Sequence, residues 1–246
     1  MSKTAARAGL VLGLVVLAGC AANPPRLTPS RDDPLQRMNR GIYRFNDALD
    51  RSVARPVAKA YRAATPQFVR TGIGNFIANL EMPRTLLNDL LQGKFRAALA
   101  DTGRLLINTS LGMGGLFDAA TWAGIDHNDE DFGQTLGKWG VPPGPYLVIP
   151  FLGPSDLRDG PARIVDLYSH PARYANHEAA WSYAAVSLIN TRYELLPLDS
   201  TLDKAFDKYA FMREAYLQNR AYKVSDGNVP DQPPEDPDAG PDPSTP

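Results

Sequence analysis

One cysteine in 246 residues excludes a disulfide-stapled fold, because a staple needs a pair. Three histidines, at 127, 170 and 177, have no ligand near them at zinc-site spacing. Charge of one sign is also lacking. The 26 basic and 27 acidic residues leave a formal charge of −1, too little to drive counterion release from nucleic acid. No apolar run reaches the roughly 20 residues that a membrane-spanning helix needs. A hydrophobic content of 43% and a charged content of 22% exclude a disordered chain and allow a sizeable folded domain.

The single cysteine is itself informative. Lys3 and Arg7 form a short positive region, and the apolar run Ala8 to Ala18 suits a secretory signal. Leu17-Ala18-Gly19-Cys20 closes it and resembles the bacterial lipobox. That resemblance implies cleavage after Gly19, leaving Cys20 to carry the acyl chains of a lipid anchor. One acyl chain holds a protein only marginally, whereas several hold it for practical purposes. Ala21 follows where an Asp would favour the inner membrane, which points to the outer membrane.

Four segments are expected: a signal peptide over 1–19, the lipidated cysteine and a tether over 20–32, a helical domain over 33–224, and a disordered tail over 225–246. The twelve tether residues after Cys20 reach at most about 40 Å. The tail holds six acids, no bases and seven prolines and cannot bury a core. Between them, 21–224 carries 24 basic and 21 acidic residues.

Helical signals dominate the domain. Asp33-Pro34-Leu35-Gln36 reads as a capped start, with Leu35, Met38, Ile42, Phe45 and Leu49 on one face, read as core, and Pro56 as the end. Thr65-Pro66 starts a second helix and Pro83 a third, with Gly93 just past its end. A fourth covers about 94–108. Ser200-x-x-Asp203 starts a long last helix with the stripe Leu202, Phe206, Tyr209, Met212 and Tyr216. Residues 110–160 are rich in Gly and Pro with interspersed aromatics, and read as a long irregular segment of functional kind.

Signatures of catalysis are weak. Thr109-Ser110-Leu111-Gly112 lacks the glycine two before a nucleophilic serine, and Gly72-Ile73-Gly74 lacks the third glycine of a dinucleotide loop. The acidic run from Asp126 to Asp131 reads as a solvated turn, since Asp131 stands where a calcium loop needs glycine, with a metal site as the lesser alternative. Asp118, Asp156, Asp159 and Asp166 read as helix caps, with a carboxylate pair as the alternative. No cofactor, metal or nucleic-acid partner is expected, and the chain is not read as an enzyme.

Asp33-Pro34-Leu35, Met38-Asn39-Arg40, Phe45-Asn46 and Arg55-Pro56-Val57-Ala58 resemble the opening of the MlaA/VacJ family of outer-membrane lipoproteins. The likeness continues through Asn79-Leu80-Glu81, Asn108-Thr109 and Leu111-Gly112-Met113-Gly114-Gly115. It is most specific in Asp131-Phe132-Gly133-Gln134-Thr135-Leu136-Gly137, Trp139-Gly140-Val141, Gly144-Pro145-Tyr146, Gly153-Pro154-Ser155 and Arg158-Asp159. Met82 and Pro142-Pro143 depart from the family pattern.

The resemblance implies a mainly α, single ring-like helical domain, lipid-anchored in the periplasmic leaflet of the outer membrane. An amphipathic channel would carry misplaced phospholipids from the outer leaflet to a periplasmic carrier, MlaC, beside a trimeric porin. A scaffold lipoprotein that moves no lipid is the alternative, and an outer-membrane phospholipase ranks third. Gly137, Gly140 and Gly144 are free in backbone angle, the prolines among them are fixed, and Trp139 and Tyr146 are amphipathic. These five are expected to form a gate loop at the channel mouth, with a rigid structural turn as the equal alternative.

Overall fold

The computed structural model describes residues 33–228. Gly19, Cys20, the signal segment, the tether and residues 229–246 lie outside the described residues. The domain is mainly helical, with one small hairpin.

Helix α1 spans Gln36–Leu49. Pro56 does not end it. A π turn at Asp50–Ala54 leads directly into α2, Arg55–Ala64, with Pro56 in its first turn. The widened turn already breaks the hydrogen-bond ladder, so the missing proline N–H costs little there. Pro83 likewise opens no new helix, because α3 runs unbroken over Gln67–Leu91 with Pro83 inside it. Packing of α3 against α4, Phe95–Ser110, along the hairpin they form overrides the proline signal. Gly93 takes a φ of +75° at the reversal, as expected for a residue just past a helix end.

The Gly/Pro-rich stretch is more ordered than its composition suggests. It contains α5, Ala119–Trp122, and α6, Phe132–Lys138. The hairpin β1, Tyr146–Ile149, and β2, Gly153–Asp156, follows in antiparallel register with Tyr146 opposite Asp156. Then come α7, Asp159–Ser169, a 3₁₀ turn at Pro171–Tyr174, and α8, His177–Glu194. The expected last helix is two. A 3₁₀ turn at Leu196–Leu198 leads into α9, Asp199–Lys204, and the chain breaks before α10, Lys208–Val224. Asp207 makes the break. Its carboxylate accepts from the Tyr209 and Ala210 amides, both at 3.1 Å, and from Arg40 of α1 at 2.6 and 3.1 Å.

Among the described residues one compact apolar cluster forms, from Tyr146, Val148 and Tyr209, with Ile42, Tyr43, Tyr216 and Leu217 packed around it. Tyr146 and Tyr209 meet edge to face at 6.2 Å. Across the described residues, seventeen polar or charged side chains are buried against ten apolar ones, so the interior is polar. The apolar residues are displaced outward. Leu35, Met38, Phe45 and Leu49 of α1, expected in the core, are exposed, and only Ile42 of that stripe joins the cluster.

What α1 buries is asparagine. Asn39 is fully buried, donates to the Tyr146 carbonyl at 2.9 Å and accepts from the Val148 amide at 2.9 Å. Asn46, two turns on, donates to the Ile149 carbonyl at 3.0 Å and accepts from the Phe151 amide at 2.9 Å. Seven residues is two helical turns, so both amides point the same way and serve the edge of β1 that β2 leaves free.

Candidate functional site

A cavity of about 580 Å³ opens between α3, α7, the 3₁₀ turn after it, α8 and α10. Leu167, Ala172, Ala180 and Ala184 supply apolar wall. Charged groups of both signs face the same space: Arg84, Arg163, Arg173 and Arg220 with Glu81, Asp131, Asp159 and Asp166. Such a mixed lining suits a ligand that is itself amphipathic.

One side is fixed by an ion-pair network. Arg220 of α10 binds Asp131 through two hydrogen bonds of 2.6 and 2.7 Å and pairs with Asp159 through its Nε. Arg158 donates to Asp159 at 2.7 Å. The Tyr216 hydroxyl lies 3.0 Å from Asp156 and 2.9 Å from Asp159. Burial works to raise the Asp131 and Asp159 carboxyls. Hydrogen bonds from Arg220 and, for Asp159, Arg158 outweigh it and hold both below the usual carboxylate range. For Asp156 burial prevails, and its carboxyl is raised.

The four aspartates expected as caps divide. Asp118 caps α5 through the Thr121 amide at 3.2 Å, is gripped by buried Arg104 at 2.9 and 3.0 Å, and falls to about 2 despite the opposing effect of burial. Asp156 accepts from the amides of Arg158 and Asp159 and so starts α7. Asp156 and Asp159 do lie together, as the carboxylate-pair alternative required, but arginine and tyrosine partners hold both. Asp166 faces the cavity, accepting from the Phe132 amide at 3.0 Å and Asn88 at 3.4 Å.

Asp126, at the head of the acidic run, is exposed as in a solvated turn, but the acids after it are paired. Asp129 binds Arg84 and Lys223, each at 2.7 Å, and buried Glu130 binds Lys94 at 2.7 Å and Gln92 at 2.8 Å. Asp131 caps α6 by accepting from the Gln134 amide at 2.8 Å. These acids meet bases from α3, α4 and α10 that are distant in sequence, so a local reading missed them. Asp131 followed by Gln134 has the spacing of a capping box, a signal the sequence did carry. No group of three metal-binding side chains forms among the described residues. His170 accepts from the Ala172 amide at 3.1 Å and meets the Tyr183 hydroxyl at 2.8 Å, with burial first and Arg84 second lowering its pKa.

The five residues of the expected gate loop are not brought together at the cavity, and none lines it. Gly137 lies in α6, where an added Cβ would come within 2.7 Å of Arg158 and 2.8 Å of Val224. Trp139 is exposed, donates to the Leu91 carbonyl at 3.1 Å and meets Phe132 edge to face. Gly140 and Gly144 have φ of +90° and +68°. Tyr146 is buried in the apolar cluster and is not an interfacial ring. The cavity walls come largely from α7 and α8, whose polar residues form no short motif. Amphipathic spacing could have signalled α7, whereas α8 has no amphipathic face to read.

The expected tail begins ordered. Asp226 accepts from Lys138 at 2.8 Å and also pairs with Lys94.

The family model described as MlaA lipoprotein matches residues 31–223. The chain is similar to the intermembrane phospholipid transport system lipoprotein MlaA of Escherichia coli K12, at 36% identity over 234 residues, covering 94% of this chain and 92% of that one. The protein of the same name from Haemophilus influenzae is 33% identical over 226 residues, covering 89% and 90%. A solved structure from work on the structural basis for maintenance of bacterial outer membrane lipid asymmetry aligns with a TM-score of 0.72 and 36% identity. It covers 79% of this chain and all of that one.

Proposed function

The chain belongs to the MlaA lipoprotein family, and from that premise we propose that it removes misplaced phospholipids from the outer leaflet of the outer membrane. They leave through the mixed cavity and pass to a soluble periplasmic carrier, MlaC. As a lipid-transport lipoprotein associated with the outer membrane, it is not an enzyme. Its role is in maintaining lipid asymmetry between the leaflets.

The observation that carries this reading is the inversion of the fold: a charged cavity inside a body whose apolar side chains face outward. No described helix is long and apolar enough to cross a membrane. A body seated in one leaflet keeps its apolar exterior among acyl chains and gives a polar head group an internal path. Cys20, acylated after cleavage behind Gly19, anchors this body, and a trimeric porin holds it in place.

The test is reconstitution in proteoliposomes with porin and carrier. Labelled phospholipid should appear on MlaC only when the protein is present. A protein that binds porin and carrier yet transfers no label would be a scaffold.

A further inference from the structure

The cavity holds two cations and two acids that its own ion pairs leave over. Arg220 is fully engaged by Asp131 and Asp159, and Arg84 lies closest to Asp129, at 2.7 Å. Arg163 is different. Among the described residues it has no carboxylate partner and donates only to the carbonyls of Leu152 and Pro154, at 3.4 and 2.7 Å. Arg173 has none either, and its guanidinium rests 5.4 Å from the Tyr168 ring. Each guanidinium has five donors, so both keep N–H groups to offer. On the acid side, Glu81 accepts no hydrogen bond among the described residues. Its one ion pair is a 3.6 Å contact with Arg84, which Asp129 approaches more closely. Among the described residues Asp166 has no ion pair, and its side-chain hydrogen bonds all fall on one oxygen. Burial is the largest influence on both carboxyls and raises them.

A cavity built for an anion alone would carry surplus positive charge. This one carries a matched surplus of both signs. We propose that it selects phospholipids whose head group bears both a phosphodiester and a primary ammonium, with Arg163 and Arg173 receiving the phosphate and Glu81 and Asp166 the ammonium. The planar guanidinium forks match phosphate oxygens, and the desolvated carboxylates gain an opposite charge that Arg84, drawn to Asp129, only partly supplies. This rests on the cavity being the lipid path and adds which lipid it prefers.

The test uses the full-length acylated protein in detergent micelles and native mass spectrometry. Three dioleoyl lipids are offered at equal concentration: phosphatidylethanolamine, its N-acetyl derivative and phosphatidylglycerol. All three keep the chains and the phosphate, and only the first keeps the ammonium. Wild type should bind phosphatidylethanolamine about fivefold better than the other two, the scale of a partly exposed ion pair. Glu81→Gln with Asp166→Asn should bring it down to the phosphatidylglycerol level, and Arg163→Gln with Arg173→Gln should weaken all three. Equal binding of the three by wild type overturns the proposal while leaving lipid transport intact. An unchanged preference in the folded acid variant overturns it too. Wild type that binds none of the lipids sinks this proposal and the transport reading together. If the acid variant does not fold, the N-acetyl comparison on wild type decides.

Discussion

Gly133 and Gly137, one turn apart on α6, press that helix against the arginines beneath it. A Cβ at 133 would come within 2.3 Å of the Arg220 guanidinium and 2.5 Å of an Asp159 oxygen, and both groups are fixed by their ion pairs. Gly133→Ala should therefore lower stability by about 3 kcal/mol, the upper range for overpacking a filled interior. Gly140→Ala meets nothing within 4 Å and suffers only its φ of +90°, a penalty of about 1–2 kcal/mol. Thermal unfolding of the two variants checks the order, and a Gly140 variant less stable than the Gly133 variant would contradict it. The motif running from Asp131 to Gly137 was legible as a family likeness, but its reason was not. The arginine that forbids a side chain at 133 lies 87 positions further along the chain, and no local pattern connects them.

At the scale of elements, polar side chains stand in for missing partners. Asn39 alone satisfies a carbonyl and an amide of β1. Asn39→Ala would orphan both, at about 1–3 kcal/mol for each buried group, so a loss of roughly 2–6 kcal/mol is expected in urea unfolding. A second junction, between α3 and α4, is an acid pair. Asp89 and Asp101 are both buried, and Asn128 donates to each, at 3.0 and 3.3 Å. Burial first, and then the neighbouring Asp101, push the Asp89 carboxyl up to about 8. The folded state thus holds a proton that the unfolded chain releases near pH 4. That contribution to stability is fully present below pH 4 and is lost as pH rises to about 8. Asp89→Asn mimics the protonated acid, so its melting temperature relative to wild type should climb from pH 5 to pH 8. A difference independent of pH would rule out a proton held by Asp89. Helix existence was legible here and helix ends were not. Pro56 and Pro83 mark boundaries in isolation, yet a π turn and the packing of α3 absorb them. The break at Asp207 depends on Arg40 from the far end of the chain.

For the whole molecule, the question is which solvent the exterior was built for. Phe95, Leu99 and Leu106 of α4 are 71%, 74% and 63% exposed and fall within about 40° of one another around the helix. The sequence announced such stripes as core, because in water an apolar helical face is a buried one. That inference fails when the surroundings are themselves apolar, and composition alone does not name the surroundings. The fold resolves the matter by filling its interior with asparagine, aspartate and arginine and leaving the leucines outside. Leu99→Arg with Leu106→Arg separates the two solvents. Both sites are exposed and remove no internal contact of consequence, so in detergent the variant should melt within a degree or two of wild type, as surface substitutions do. In a bilayer each arginine costs about 2–4 kcal/mol at hydrocarbon depth. The variant should therefore fall sharply in outer-membrane level and in transfer of labelled lipid while its purified fold is unchanged. Normal levels and transfer would mean that α4 faces water or protein at this stripe. The lipid-facing belt would then have to be sought on α7 and α8, where Ile164, Trp181 and Leu188 are also exposed.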